Sequence, residues 1–323
     1  MANSVDENGP RFANVPQNPA PEGMRGGYLE TSDKVKLRYA VFPRTDGPNR
    51  GTICLLQGRT EYVEKYYETI QDFQKRGFMV ATFDWRGQGG SDRLISNKSL
   101  GFVQRFEDYW TDLTTFHASI LLPDCAPPYF LVAHSMGGMV ALMAAARDRM
   151  MFDRMFLSAP MIAVPGLPLS AAGMATLFEA ACFAGLGNMP LPGDFRTPHH
   201  ELFPGNPLTS DFERYMRSVH VLDAMPELGL NNPSIRWAAA AARSSARMAA
   251  PDFPDRVNVP LLMLAAARDE VVSTPAIEHM GLRLRTGRHA VIAKARHELF
   301  MENDAIRGQV MAAFDAFVTE QSR

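Results

Sequence analysis

The stretch FLVAHSMGGMVALMAAA, residues 130–146, places one hydroxyl group between two apolar elements. Residues 130–133 predict a short buried strand, and the Ala/Met/Leu run after Gly138 predicts a helix. Ser135 lies where the two meet, with Ala133 two residues before it and Gly137 two residues after it. Small residues at these two positions prevent clashes in a direct strand-to-helix turn. The pattern therefore predicts a nucleophile elbow, in which the serine is held in a strained backbone conformation.

The helix that follows such a serine can stabilise a negative charge that forms there. The first turn of a helix presents free N–H groups and the positive end of the helix dipole, which favour a developing negative charge. An ordinary glycine-rich helix start is the alternative explanation of the same five residues. The elbow is favoured by its position between a buried strand and a helix, and it requires an Asp or Glu and then a His later in the chain.

The rest of the chain alternates between apolar strand-like runs and helix-like runs. An N-terminal hairpin is predicted over 28–42, and further strands at 52–58, 78–85, 129–135, 154–160, 261–269 and 289–295. Helical spacing follows most of them, for example over 64–77 and 103–122. Continuous apolar strands alternating with helices predict an α/β fold, with a mostly parallel sheet covered by helices on both faces.

The alternation lapses once, which divides the chain. Residues 161–255 are apolar and Pro-rich at first and then Ala- and Arg-rich, and they predict an inserted, mainly helical cap. The sheet domain is assigned to residues 27–160 and 256–323. Residues 1–26 are rich in Asn, Pro and Gly and are expected to form a flexible arm.

Composition excludes several classes of function. A formal net charge of −2 leaves no basic surface for nucleic acid. Three cysteines in 323 residues argue against a disulfide framework and favour a reducing compartment, so a cytoplasmic location is expected. No cysteine and histidine spacing resembles a zinc site. The N-terminus lacks the basic and apolar regions of a Sec signal peptide.

One segment needs a separate test for membrane insertion. Between Met155 and Gly193 the only charged residue is Glu179, but prolines and glycines interrupt the stretch. A spanning helix needs about 20 continuous apolar residues. The best candidate, around 169–186, is therefore interpreted as an apolar helix near a binding site, with a transmembrane span as the alternative.

Two later residues have the positions that an elbow serine requires. Asp269 follows the predicted strand 261–269 and His297 follows the next one, so both lie at the carboxyl ends of strands, where α/β sheets hold their sites. Each could be an ordinary turn residue, but their joint order predicts a Ser135–His297–Asp269 triad. Glu270 is the fallback acid. His134 precedes the serine and is expected to face away from the site.

Two backbone N–H groups are expected to stabilise a negatively charged intermediate. One belongs to Met136, directly after the serine. The other is expected in the loop after the strand at 52–58, where Arg59 is the predicted donor through its main chain.

The motifs together resemble those of the α/β-hydrolase superfamily, and within it the monoacylglycerol lipase and lysophospholipase group. They are QGRTEY, DWRGQGGSDR, AHSMGG, ARDEVV and ARHELFME, and they extend over residues 57–302. The segment NPLTSDFERYMRSVHVLDAMPELGL resembles the cap of bacterial lysophospholipases. Two positions depart from the group pattern, since Ala133 replaces the usual glycine and Gln57 the usual histidine.

The resemblance implies a serine hydrolase that needs no metal or organic cofactor and cleaves carboxylic esters. A lysophospholipase or a monoacylglycerol lipase that releases a fatty acid is the expected activity. Flexible apolar side chains suit an acyl chain, and the insertion supplies Met161, Leu167, Leu169, Met174, Leu177 and Phe178. His200 is a further candidate for substrate contact. An acyl-ester lipid is thus the expected partner, with peripheral contact between the cap and a membrane as an option.

Two other functions stay open at this stage. A carboxylesterase or thioesterase for small soluble esters would use the same residues, and chain-length preference separates it from a lipase. A non-catalytic ligand receptor on the same scaffold would not need Asp269 and His297 together. The sequence leaves the head group, the acyl-chain preference and the oligomeric state undetermined.

Overall fold

A computed structural model describes residues 9–45, 47–193 and 203–319 of the chain. Within them, one sheet of eight strands forms the centre of the fold. The strands are β1 (Arg25–Glu30), β2 (Lys36–Phe42), β3 (Thr52–Leu56), β4 (Met79–Phe83), β5 (Tyr129–His134), β6 (Arg154–Ser158), β7 (Leu261–Ala266) and β8 (Gly287–Ile292).

The spatial order of the strands is β1-β2-β4-β3-β5-β6-β7-β8. The hairpin of β1 and β2 is antiparallel and also pairs antiparallel with β4, while every pair from β4 to β8 is parallel. The predicted mostly parallel sheet is confirmed, and each predicted strand ends within a few residues of the observed one. All parallel strands therefore present their carboxyl ends at one edge of the sheet.

Helices connect the strands and cover the sheet. They are α1 (Tyr67–Lys75), α2 (Phe106–Phe116), the short α3 (Leu122–Asp124), α4 (Met136–Ala145), α5 (Ala171–Phe183), α6 (Phe212–Ala224), α7 (Ile235–Met248), the short α8 (Phe253–Arg256), α9 (Thr274–Arg283) and α10 (Asp304–Thr319). A 3₁₀ turn, Val63–Tyr66, precedes α1, and a π turn, His117–Leu121, joins α2 to α3.

Alternate side chains of each central strand enter two separate hydrophobic cores. In β3, Cys54 and Leu56 join the core that includes α2 and α4. Ile53 and Leu55 join the core on the other face, which includes α1 and α10. Burial on both faces explains why the strands are continuously apolar in sequence.

Residues 9–24 pack against the sheet domain, so the expectation of a flexible arm over residues 1–26 is corrected for this part of it. The backbone N–H of Ala13 donates to a carboxylate oxygen of Glu64 (3.2 Å), and the side chain of Asn18 donates to the carbonyl of Glu64 (2.8 Å). The guanidinium of Arg38 lies over the ring of Phe12, 4.6 Å from its centroid. A polar, Pro-rich composition does not reveal such contacts, because they depend on groups that the fold brings close.

The chain between β6 and β7 contains α5 to α8. Its helix α7 is attached to α2, because the indole of Trp237 donates to the hydroxyl of Tyr109 (3.2 Å). Earlier in the insertion, Arg214 of α6 forms ion pairs with Glu68 of α1 and Asp304 of α10, both at 2.7 Å. The insertion is therefore anchored to both sides of the sheet domain.

The segment of the insertion before α6 also contacts the loop that follows β8. Arg296 donates from Nη1 to the carbonyls of Asn206 (2.8 Å) and Thr209 (3.0 Å). The hydroxyl of Thr209 donates to the carbonyl of Met301 (2.6 Å). The segment before α6 is thus part of the support of this loop.

Helix α5 has 13 residues, which is shorter than the roughly 20 that a membrane-spanning helix needs. Across the described part of the chain, none of the helices has both the length and the apolar character needed to span a bilayer. The transmembrane alternative for residues 169–186 is therefore wrong for the helix at 171–183.

The start of α4 lies directly against the end of β3. A Cβ atom on Gly137 would be 2.6 Å from the carbonyl oxygen of Gln57 and 2.8 Å from that of Leu56. On Gly138 it would be 2.7 Å from the side chain of Pro160. Since Gln57 and Leu56 would clash through backbone atoms, only glycine fits at position 137.

We expect Gly137→Ala to lower the free energy of unfolding by about 2 kcal/mol or more, because backbone atoms of β3 must move to admit the methyl group. The matched control is Gly308→Ala in α10, where a Cβ would meet no atom within 4 Å. That change should stabilise the protein by up to about 1 kcal/mol, since alanine favours a helix over glycine. Urea unfolding of both variants checks this, and equal effects would contradict the tight contact.

Candidate active site

Ser135 connects β5 to α4 in a backbone conformation that residues other than glycine rarely adopt. Its φ is 50° and its ψ is −114°. Its N–H donates to the carbonyl of Ser158 (3.0 Å), and its own carbonyl accepts from the N–H of Met161 (2.9 Å) and of Met139 (3.1 Å). These bonds hold a strained turn in place, as strain at functional sites requires.

The structure brings Ser135, His297 and Asp269 together. The hydroxyl of Ser135 donates to Nε2 of His297 (3.0 Å), and Nδ1–H of His297 donates to Oδ2 of Asp269 (2.8 Å). Asp269 follows β7 and His297 follows β8, so parallel strands deliver both residues to the edge of the sheet where β5 ends. A hydroxyl, a base within hydrogen-bonding reach and a group that orients the base are the components of an activated nucleophile.

The carboxylate of Asp269 is fixed on both oxygens. Its Oδ1 accepts from the N–H groups of Val271 and Val272, both at 2.8 Å. Burial opposes ionisation of this carboxyl, but the bonds from His297 and from the two backbone groups outweigh it, so the pKa of Asp269 is below its ordinary value. The charged carboxylate thus faces the imidazole, whereas the fallback acid Glu270 is exposed.

The loop after β3 carries the second predicted oxyanion donor. The N–H of Gly58 donates to the carboxylate of Glu61, and the side chain of Gln88 donates to the carbonyl of Gly58 (2.8 Å). The side chain of Arg59 donates to the carbonyl of Asn231 in the insertion (3.0 Å). Because α4 abuts the end of β3, this loop and the N–H of Met136 lie at the same edge of the sheet. The oxyanion roles of Arg59 and Met136 stay predictions.

Behind the imidazole of His297 lies a buried polar cluster that the sequence did not reveal. The cluster consists of Glu61, Lys65, His134 and Glu298. Lys65 contacts Glu61 (3.0 Å) and Glu298 (2.6 Å), and all three side chains are less than a tenth exposed. Glu61 and Lys65 are four residues apart, a spacing that in sequence indicates an ordinary surface pair.

His134 does not simply face away from the site, as its position before Ser135 suggested. The centroid of its ring is 4.7 Å from that of His297. Its Nδ1 lies 3.1 Å from the carbonyl of Ser158, and its Nε2 lies 3.9 Å from a carboxylate oxygen of Glu61. Burial, together with the charges of His297 and Lys65, outweighs the attraction of Glu61 and lowers the pKa of His134 to about 4.

The predicted substrate-contacting residues fall into three groups. Met161 and Met174 are buried, and the N–H of Met161 is bonded to Ser135 itself. Phe178 is half-buried, while Leu167, Leu169 and Leu177 are exposed. His200 lies outside the described residues. Contact of these residues with a substrate stays a prediction.

Within residues 9–45, 47–193 and 203–319, no three His, Cys, Asp or Glu side chains are grouped in a way that could hold a metal ion. Arg86, in the loop after β4, forms ion pairs with Asp33 (2.6 Å) and Asp112 (2.7 Å).

Comparison with known proteins gives one family and several relatives. The family model described as "Serine aminopeptidase, S33" matches residues 47–304. The chain is 30% identical to lysophospholipase L2 of Escherichia coli strain K12 over 302 residues, which cover 88% of this chain and 84% of that protein. It is 26% identical to a probable lysophospholipase L2 of Haemophilus influenzae, with 91% of this chain and 92% of that protein covered.

A solved structure has the same fold. It is a soluble variant of monoglyceride lipase from Saccharomyces cerevisiae in complex with a substrate analogue, with a TM-score of 0.71 and 20% sequence identity. The match covers 91% of this chain and 95% of that one. At this identity the likeness supports the α/β-hydrolase fold and nothing finer.

We expect the pKa of His134 to make the protein lose stability in acid. The folded value of about 4 lies below the ordinary 6.5, so the unfolded chain binds a proton at His134 before the folded protein does. The stabilisation is complete above pH ~6.5 and is lost as the pH falls to ~4, by about 3 kcal/mol at most. The charged and titratable groups near His134 are Glu61, Lys65, Asp269 and His297.

His134→Gln isolates this contribution, because glutamine is polar and does not titrate. The measurement is urea unfolding of wild type and variant between pH ~7.5 and ~4. The difference in unfolding free energy between the two proteins should shrink towards low pH as wild type loses its advantage. Parallel pH dependences would show that His134 titrates normally.

Proposed function

The chain belongs to the serine aminopeptidase S33 family of α/β-hydrolases, and from this premise we propose that it is a serine hydrolase that cleaves carboxylic esters of lipids and releases a fatty acid. A lysophospholipid or a monoacylglycerol is the proposed substrate class. The observation that carries the proposal is the continuous series of hydrogen bonds from Ser135 through His297 to Asp269.

In the proposed reaction, His297 accepts the proton of the Ser135 hydroxyl as the oxygen attacks the ester carbonyl. Asp269 keeps Nδ1 of His297 protonated and stabilises the imidazolium that forms. The imidazolium then donates its proton to the leaving alcohol, and the acyl group stays on Ser135. Water, deprotonated by His297, attacks the acyl-enzyme, releases the acid and restores the serine.

The negative charge that develops on the carbonyl oxygen needs donors that are already in position. We assign this role to the backbone N–H groups of Met136 and Arg59. The first belongs to the initial turn of α4, whose dipole favours an anion. The second belongs to the loop that Glu61 and Gln88 hold through Gly58. Loss of one such donor typically costs about 10²–10³ in rate.

The substrate class rests on two kinds of support. Two relatives that align over most of this chain are named lysophospholipases, and a protein of the same fold is a monoglyceride lipase. The insertion adjacent to Ser135 is apolar, and Met161 of its first residues bonds to the backbone of Ser135. An acyl chain would bind such a surface favourably, because both apolar surfaces are removed from water.

The insertion also presents apolar side chains to solvent, which supports peripheral contact with a membrane as the means of collecting lipid. Contiguous exposed apolar residues on soluble proteins often mark interaction sites. The exposed large apolar residues in the first part of the insertion are Val164, Leu167, Leu169, Leu177, Phe183, Leu186 and Met189.

Substitutions test the proposed roles of Asp269 and Ser135, with a change at the adjacent Glu270 as the control for Asp269. Asp269→Asn should lower kcat by about 10⁴-fold, because the asparagine no longer orients and stabilises the imidazolium. Glu270→Gln, one residue further along, should leave kcat within about twofold of wild type, since Glu270 is exposed. Ser135→Ala should abolish both hydrolysis and labelling by a serine-directed fluorophosphonate. Equal effects at positions 269 and 270 would refute the assignment.

The substrate class is tested by fatty-acid release from 1-acyl lysophospholipid and monoacylglycerol, beside a short-chain ester and a peptide arylamide. We expect the two lipids to be cleaved with the highest kcat/KM, and Ser135→Ala to remove all activity. Preference for the short ester would identify a general esterase. Preference for the arylamide would identify a peptidase, as the family description suggests.

Membrane contact is tested by Phe183→Ser, compared with Leu282→Ser on α9. Phe183 is 97% exposed in the insertion, and Leu282 is 77% exposed on the sheet domain. Burial of a Phe side chain is worth about 1.5–3 kcal/mol, so Phe183→Ser should weaken binding to phosphatidylcholine vesicles by about tenfold or more. Vesicle sedimentation measures this, with unchanged hydrolysis of a soluble ester as control. An equal loss in Leu282→Ser would contradict a docking role of the insertion.

A further inference from the structure

One ammonium group joins the two loops that flank the proposed reaction centre. Lys65, in the 3₁₀ turn before α1, lies between Glu61 (3.0 Å) and Glu298 (2.6 Å). The three side chains are 7%, 4% and 9% exposed, so the contacts are formed away from water. None of the three side chains takes part in the proposed reaction.

On one side, Glu61 shapes the loop of the proposed oxyanion donor Arg59. One oxygen of its carboxylate accepts from the N–H of Gly58 and from the hydroxyl of Tyr66 (2.7 Å). The other oxygen contacts Lys65. A shift of this carboxylate would therefore move the peptide next to Arg59.

On the other side, Glu298 directly follows His297. Its N–H donates to the carbonyl of Leu208 in the insertion (2.8 Å), and its carbonyl accepts from the N–H of Met301 (2.8 Å). Its side chain turns inward to Lys65. Hydrogen bonds to its backbone and the ion pair of its side chain thus both fix Glu298. Because Glu298 is the next residue in the chain, its position also limits where the imidazole of His297 can lie.

We propose that Lys65 is a positioning residue for the reaction, which sets the distance between the oxyanion loop and His297 by bridging Glu61 and Glu298. The inference rests on the proposed function, since it assigns the two loops their roles in ester cleavage. Lys65 touches neither the substrate nor the reacting atoms.

Burying the ammonium group of Lys65 carries a desolvation cost in free energy. A residue kept there despite this cost is expected to have a role in geometry rather than in stability. Apolar residues of similar volume often stabilise a fold as well as a buried ion pair does. Burial opposes the charge of Lys65, but the two carboxylates outweigh it and raise the pKa of its ammonium above the ordinary value. The side chain is therefore charged at neutral pH. Short charge-assisted bonds fix distances more tightly than apolar contacts do.

The test compares Lys65→Met and Glu298→Gln with a matched control, Asp112→Asn. Asp112 is a buried carboxylate whose ion pair with Arg86 measures 2.7 Å, so its change to an amide resembles that of Glu298. The readouts are kcat per active site, counted by fluorophosphonate titration, KM for a soluble ester, and the thermal midpoint.

We expect Lys65→Met to lower kcat per titrated site by about 10²-fold and Glu298→Gln by about tenfold, since small misplacements of reacting groups cost this much. KM should change by less than about threefold, because substrate contacts are retained. Asp112→Asn should leave kcat within about threefold of wild type while lowering the thermal midpoint by an amount similar to Glu298→Gln.

Loss of stability without loss of kcat per site in Glu298→Gln would overturn the proposal, and so would an equal fall of kcat in Asp112→Asn. Lys65→Met leaves two carboxylates facing each other and can fail to fold, in which case Glu298→Gln decides alone. Wild type that is neither labelled nor active would refute the proposed function itself. Active wild type with unaffected variants would refute only the role of Lys65.

Discussion

The first turn of α4 approaches the carbonyl groups of Leu56 and Gln57 so closely that position 137 has no room for a side chain. This contact forces the chain at Ser135 into its strained turn, because β5 must end and α4 must begin within one residue. It also places the start of a helix beside the loop after β3. The hydroxyl, the helix dipole and the backbone of Arg59 therefore share one edge of the sheet, to which β7 and β8 also deliver Asp269 and His297.

The elements that depend on local periodicity could be predicted from the sequence. Strands buried on both faces are continuously apolar, and the elbow, Asp269 and His297 each follow such a strand. Their proximity then comes from the parallel sheet itself, since parallel strands end at a common edge. For this reason the pairing of Ser135 with His297 could be anticipated although the residues are 162 positions apart.

Contacts between residues that only the fold brings together could not be predicted from the sequence. Glu61 and Lys65 have the spacing of a surface pair, and their third partner, Glu298, is 233 residues away from Lys65. The position of His134 before Ser135 suggested a side chain that faces away from the site, and it did not reveal the ring of His297 that His134 contacts. The N-terminal residues from 9 to 24 are polar and lack periodicity, yet Glu64 and Arg38 hold them through individual bonds.

The bonds of Arg296 to Asn206 and Thr209 have a consequence for the exchange of segments between related proteins. A cap that merely rested on the sheet domain could be transplanted whole, as an independent module. Here the part before α6 shares hydrogen bonds with the loop that bears His297, so a chimaera cut at both ends of the insertion would inherit a mismatched support for this loop. A functional graft would keep the native residues from about 203 onward and replace only the stretch that includes α5.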